Sequence, residues 1–276
     1  MFRIRIQNKK KCIWYCSAVV SFLLFLLLLG WTNHLANTQD AQQMAGRWSE
    51  KKDVAQISCF FSSKAEVTED TIQSFEYSLK NVLQEASITE TSENPSARLW
   101  VDAYSADGKI TLVNGRNTLD ANAIGIGGDF FLFHPLKLIT GSYFSGNDLM
   151  QDYCIIDQDA AWQLFGSNDV VGMTVYIGNV PHIVTGVVRR PQGRMEKAAG
   201  LTSTVVYVSY ETLETYGTSN GINHYEIVMP NPVDEFAYGK VKEGIGIDEK
   251  NVEIVENSRR YSLPNRIKTI LSFGTR

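Results

Sequence analysis

The chain has 276 residues, 44% of them hydrophobic and 11% aromatic, with a formal net charge of −4. That is enough apolar material for a sizeable core and excludes disorder as the ground state. Arg3, Arg5, Lys9, Lys10 and Lys11 put +5 ahead of Ile13 and leave −9 for the rest; an acidic folded part without a basic, aromatic-interleaved patch excludes nucleic acid as partner.

Residues 1–12 read as a basic cytoplasmic N-terminus, and Ile13 to Trp31 is an uncharged, strongly apolar run. At 1.5 Å per residue it matches a bilayer's hydrocarbon core, with Trp14, Tyr15 and Trp31 where amphipathic rings settle and the positive charges on the cytoplasmic side. A cleaved signal peptide needs a shorter apolar region and a small-residue cleavage site, so residues 13–31 read as an uncleaved transmembrane anchor in the lipid bilayer. Residues 32–52 are polar and continue the helix as a stalk, placing the main domain outside the cytoplasm.

Val54 to Phe61 alternates, with Ile57, Cys59 and Phe61 on one face, and reads as a strand. Thr68 then caps a helix whose apolar stripe is Ile72, Phe75, Leu79, Val82, Leu83 and Ala86, with Glu69 and Asp70 at its positive end. Ala97 to Tyr104 is a second strand, Asp107-Gly108 a hairpin turn into Lys109 to Val113, and Ala121 to Gly127 another strand. Phe130 to Phe133 makes a short apolar turn of helix stopped by Pro135. Beyond a central stretch, Tyr225 to Met229 reads as a strand, Val233 to Val241 as a helix and Val252 to Val255 as a final strand.

The central stretch, residues 138–207, carries the most specific signal. Gly141 and Phe144 open it, and Tyr153 to Ile156 is a buried strand. A short helix ends in Leu164-Phe165-Gly166, Val171-Gly172 follows, and a hairpin turning at Gly178-Asn179 closes on Val184-Thr185-Gly186-Val187. These fragments, in this order, resemble the extracytoplasmic core domain of MacB-like ABC transporter permeases, whose membrane part is called FtsX-like.

The resemblance implies an α+β fold over residues 53–256, the MacB-like periplasmic core domain. Its paired β-α-β halves, 53–104 and 222–256, form one α/β subdomain, and 105–221 are an inserted β-rich subdomain. It implies a non-enzymatic permease subunit, in a homodimer or with a related permease subunit, that couples a separate cytoplasmic ABC ATPase to export or mechanotransmission. The FtsX-like pattern adds three membrane helices after the core. The chain is therefore either a truncated product or a single-span relative; the expectation is that the functional polypeptide continues past Arg276 into another apolar run. Residues 257–276, basic and amphipathic over 262–273, are expected beside the membrane. The alternative reading is a single-span membrane-anchored binding or sensor module without transport; a surface hydrolase is the third.

Sites of chemistry are expected to be few. There is no Walker A run, Gly125-Ile126-Gly127-Gly128 does not match a dinucleotide fingerprint, and no Gly-x-Ser-x-Gly is present. His34, His134, His182 and His224 are scattered in sequence, which gives a metal site little support. Asp157-Gln158-Asp159 reads as a helix cap ahead of a catalytic pair. No catalytic, cofactor-binding or metal residue is therefore assigned, and no cofactor. Arg189-Arg190 with Arg194 to Lys197 form a basic loop, either a contact surface or a solvated hairpin exit. Cys59 and Cys154 are two small core residues or, outside the cytoplasm, a disulfide.

Overall fold

The computed structural model describes residues 9–49, 53–89, 98–190, 193 and 203–260. They fall in two units, residues 9–40 and residues 41–260. Of the sequence expectations, the amphipathic 262–273 segment and Arg194 to Lys197 lie outside the described residues.

The first unit is helix α1, Lys9–Asn37. Its window Ile13–His34 is long and apolar enough to cross a membrane, and no part of that window is buried by protein. The helix passes Trp31 by six residues.

In the second unit the strands are β1 (Val54–Phe61), β2 (Val101–Asn114), β3 (Asn117–Gly128), β4 (Leu138–Gly141), β5 (Tyr153–Asp157), β6 (Thr174–Ile177), β7 (Val180–Val188), β8 (Val205–Ser209), β9 (Thr218–Ser219), β10 (His224–Pro230) and β11 (Val252–Glu256). The helices are α2 (Met44–Trp48), α3 (Glu69–Glu85), α4 (Phe130–Phe133), α5 (Gln158–Phe165), α6 (Tyr210–Tyr216), α7 (Phe236–Gly244) and α8 (Asn257–Arg260). All strands join one sheet, ordered β11-β1-β10-β2-β3-β8-β5-β7-β4, with β9 added to β2. Because β6 pairs with both β2 and β7, the path β2-β3-β8-β5-β7-β6 returns to β2 and closes a ring of six strands. The other half, β11-β1-β10-β2, is an antiparallel ribbon.

Long strand β2 belongs to both halves. Its Val101–Ser105 end pairs with β10, and the whole of Ala103–Asn114 pairs with β3. The hairpin turn expected at Asp107-Gly108 is not there: both residues sit inside β2, and the chain reverses at Gly115-Arg116, where Gly115 has φ +60°. Positive φ at the first of two turn residues is the position a type II′ hairpin reserves for glycine. Gly108 is glycine for another reason, since a Cβ there would meet the Thr218 carbonyl oxygen at 2.3 Å. The expected boundary between residues 104 and 105 thus falls within a continuous strand.

Helix α3 forms as its sequence directs, with Thr68 at the N-cap and Ile72, Phe75, Leu79 and Leu83 buried. Val82 is only half-buried and Ala86 is exposed, which narrows the expected stripe. That stripe packs against Ala55, Ile57, Cys59, Tyr225, Ile227 and Met229 in a cluster that continues through the ring. A second cluster covers the opposite face: Met44, Val101, Ala103, Val228, Phe130, Phe131 and Phe144 are among its members. In it Phe131 stacks on Tyr143 at 4.6 Å and meets Phe144 edge-on at 5.7 Å. The aromatic segment and the Gly141-to-Phe144 motif therefore form one packed unit.

Cys59 and Cys154 are both buried and free, so the bridge weighed from the sequence is absent. Five steps of sheet order separate their strands. Burial pushes the Cys154 thiol up to about 12 and the Cys59 thiol further, which keeps both protonated.

Candidate functional site

Strand β1 carries two fully buried polar residues, Gln56 and Ser58, on the face away from α3. Strand alternation puts them there together, and a buried amide must find partners. Gln56 finds them in the segment that enters the domain. Its Oε1 accepts from the Met44 and Ala45 backbone N–H groups at 2.9 and 3.4 Å, and its Nε2 donates to the Ala41 carbonyl at 2.6 Å. Residues 41–48 are thus fastened to the sheet, whereas the sequence reading has residues 32–52 continuing the membrane helix as a stalk; helix α1 itself ends at Asn37. Arg47 adds a donor to the Leu132 carbonyl at 2.7 Å, tying α2 to α4.

The segment leaving the domain arrives at the same place. The Gln56 backbone N–H donates to Ser258 Oγ at 2.7 Å, just where β11 has given way to α8. Asn257 Nδ2 donates to Ser58 Oγ at 2.7 Å, and that hydroxyl donates to Glu226 Oε1 at 2.7 Å. Entry and exit of residues 41–260 therefore meet on neighbouring residues of one strand, β1, which lies between β11 and β10. Hydrogen bonds, directional and short in range, make the joint, where apolar packing would make a deformable one.

The carboxylate pair singled out from sequence forms a second structural joint with Arg190 of the basic loop. Asp157 caps α5, accepting from the Ala160 N–H at 2.8 Å, and also accepts from the Val205 N–H at 3.0 Å. Arg190 closes on Asp157 at 2.5 Å and on Asp159 at 2.7 Å. Arg190 is thus neither a solvated hairpin exit nor an open contact residue; it locks the ends of β7, β5 and β8 together.

Of the four histidines, His182 is a satisfied core residue, bonded to the Val180 carbonyl at 3.0 Å and Thr212 Oγ1 at 3.2 Å, and burial lowers its pKa. His134 and His224, ninety residues apart, instead converge on Glu226, with Nε2 atoms 2.6 Å from Oε2 and 3.8 Å from Oε1. Burial alone would raise the Glu226 carboxyl; hydrogen bonding and charge from His134, with His224 and Ser58, outweigh it and hold the pKa down. Burial lowers that of His224. Sequence spacing hides this meeting because the loop after α4 brings in His134. The only local signal is His224-x-Glu226, whose two residues share a strand face.

A family model described as the MacB-like periplasmic core domain matches residues 21–254. The macrolide export ATP-binding/permease protein MacB of Pasteurella multocida is 32% identical over 81 residues, 29% of this chain and 12% of that protein. The protein of the same name from Neisseria gonorrhoeae is 36% identical over 80 residues, 28% of this chain and 12% of the relative. The matched stretch is thus a small part of each relative's length. The crystallised periplasmic region of MacB from Actinobacillus actinomycetemcomitans aligns over 79% of this chain and 92% of its own, at 20% identity and a TM-score of 0.47. By the family model's span, which takes in the 138–207 motifs and most of the folded unit, this chain belongs to the MacB-like periplasmic core domain family.

Proposed function

We propose that this chain supplies the first membrane helix and the extracytoplasmic domain of an ABC transporter permease subunit, transmitting motion driven by a separate cytoplasmic ATPase to the envelope. The N-terminus is cytoplasmic in this reading, residues 41–260 lie outside, and the domain performs no chemistry itself. The α/β half, residues 53–104 and 222–256, receives the motion and residues 105–221 present it, within a homodimer or beside a related subunit. The carrying observation is the joint on Gln56 and Ser58: a domain that must move as a body needs its incoming and outgoing chain fixed to the same rigid element, or the displacement dissipates in the linkers.

The test is a pull-down of the tagged full chain from its native membranes, crosslinked beforehand, with Gln56→Ala alongside. Recovery of an ATPase bearing a Walker A sequence by both forms, with the biological effect lost only in the variant, is the expected result. A chain that recovers no such ATPase yet keeps its effect is instead a membrane-anchored binding or sensor module.

A further inference from the structure

We infer that His134, His224 and Glu226 form a binding site for a divalent transition-metal ion of the zinc class, with three protein ligands and one position open to solvent. Their ligating atoms lie within 4.8 Å of one another. In a tetrahedral site with bonds of 2.0–2.2 Å, neighbouring ligand atoms sit about 3.3 Å apart. The observed separations, 2.6 Å to Oε2 and 3.8 Å to Oε1, fall on either side of that value and no two ligand atoms are more than 4.8 Å apart, so side-chain adjustments on the order of 1 Å would bring the three around an ion. Two imidazoles and one carboxylate favour zinc-like ions over calcium or magnesium, which take oxygen ligands.

The polar atoms themselves call for an occupant. His224 Nε2 is buried with no hydrogen-bond partner, and His134 Nε2 and Glu226 Oε2, buried as well, have only each other, at 2.6 Å, among the described residues, although Glu226 is almost entirely enclosed. A His134–Glu226 ion pair alone leaves the His224 nitrogen facing the carboxylate at 3.8 Å, beyond hydrogen-bond reach. The surroundings also fix the ligands as metal sites require. Phe60 stacks on the His224 ring at 4.7 Å, Phe130 lies against His134 at 4.6 Å, and the Asn257–Ser58 relay holds Glu226 Oε1. The His134 and His224 side chains retain 25% and 20% exposure, which leaves a route in and an open position. A bound ion would cross-link the α4 loop to β10 beside the joint where the domain's ends attach.

The test uses the full chain in detergent, stripped with chelator and titrated with zinc chloride, with cobalt(II) as a spectroscopic probe. One zinc per chain is expected, unaffected by millimolar calcium or magnesium, with a higher thermal midpoint and the visible absorption of four-coordinate cobalt. His224→Ala and His134→Ala should each weaken zinc binding about 100-fold or more, since repositioning a ligand already costs 10–100-fold. Stoichiometric binding retained by His224→Ala, or wild-type protein that shows only six-coordinate cobalt and no saturable zinc, overturns the assignment. The cobalt spectrum is read on wild-type protein, so a variant that fails to fold leaves the test intact.

Discussion

Both faces of the β11-β1-β10-β2 ribbon bury apolar side chains, but they differ in the polar groups they bury beside them. Under α3 the contacts are apolar: Ile57, Cys59, Ile72, Phe75, Leu79 and Ile227 are all buried in one cluster. On the other face Gln56, Ser58, Glu226 and Asn257 are equally buried but are held by hydrogen bonds. Burial of apolar area is non-directional and supplies most of the folding free energy. Hydrogen bonds contribute modestly net but fix geometry, and an unpaired partner is costly. Apolar burial on both faces therefore keeps the domain folded, while the polar groups set among Met44, Val101, Ala103 and Val228 on the face away from α3 specify where its ends attach.

The sharpest way to break that contrast is to damage each face in turn. Phe75→Ala removes a buried ring that meets Tyr225 edge-on at 5.7 Å, and is expected to cost about 3–5 kcal/mol, read as a lowered urea midpoint of the full chain in detergent. Gln56→Ala strands the Ala41 carbonyl and the Met44 N–H, with an expected cost of about 1–3 kcal/mol. Its signature should be local: faster hydrogen exchange over residues 41–48 while β1 and β10 stay protected. Uniform loss of protection across the sheet would show that these polar groups are part of the folding core and that the division of labour is wrong.

What was legible in the sequence follows the same division. The α3 stripe, the β6–β7 turn at Gly178-Asn179 and the Asp157 cap depend on local spacing and turn chemistry, and each formed where its residues directed. The buried polar groups depend on which segments cover them, and local pattern does not encode that. Gln56 and Ser58 look like the solvent side of a half-buried strand until α2 and α8 are laid over them. His134 and His224 likewise look unrelated until the loop after α4 crosses β10. Gly108 misled because glycine marks both turns and close approaches, and only the neighbouring Thr218 distinguishes them.

Phe165, in the Leu164-Phe165-Gly166 signature, tests the ring half in the same terms. From the motif it is a candidate for full burial; in the fold Leu164 takes that position and Phe165 is half-buried against the core's margin. Phe165→Ala should accordingly cost only about 1–2 kcal/mol, less than Phe75→Ala. A larger loss than Phe75→Ala would place the structural centre in the ring rather than beneath α3.

The last test concerns the exception on the α3 face. Glu76 of α3 and Asp102 of β2 lie close enough to bond, and Tyr225 Oη donates to Asp102 Oδ2 at 3.0 Å. Burial, then the charge and hydrogen bond of Asp102, with Glu69 adding to them, push Glu76 up to about 8. Burial also raises Asp102 despite its bonds to Glu76 and Tyr225, with Asp129 reinforcing and Arg98 opposing the shift. Tyr104, raised beyond the ordinary phenol range by burial, stays neutral beside them. A carboxyl whose folded pKa lies above its unfolded value favours folding while protonated. That contribution is complete below the ordinary glutamate value of 4.5 and is lost as pH rises through about 8. The thermal midpoint of the wild-type chain should therefore fall across this window, and Glu76→Gln, which keeps a neutral side chain at every pH, should fall less. Equal slopes in the two proteins would mean that the carboxyls share no proton and that this face tolerates their charge, leaving the ribbon's two sides less different than their packing implies.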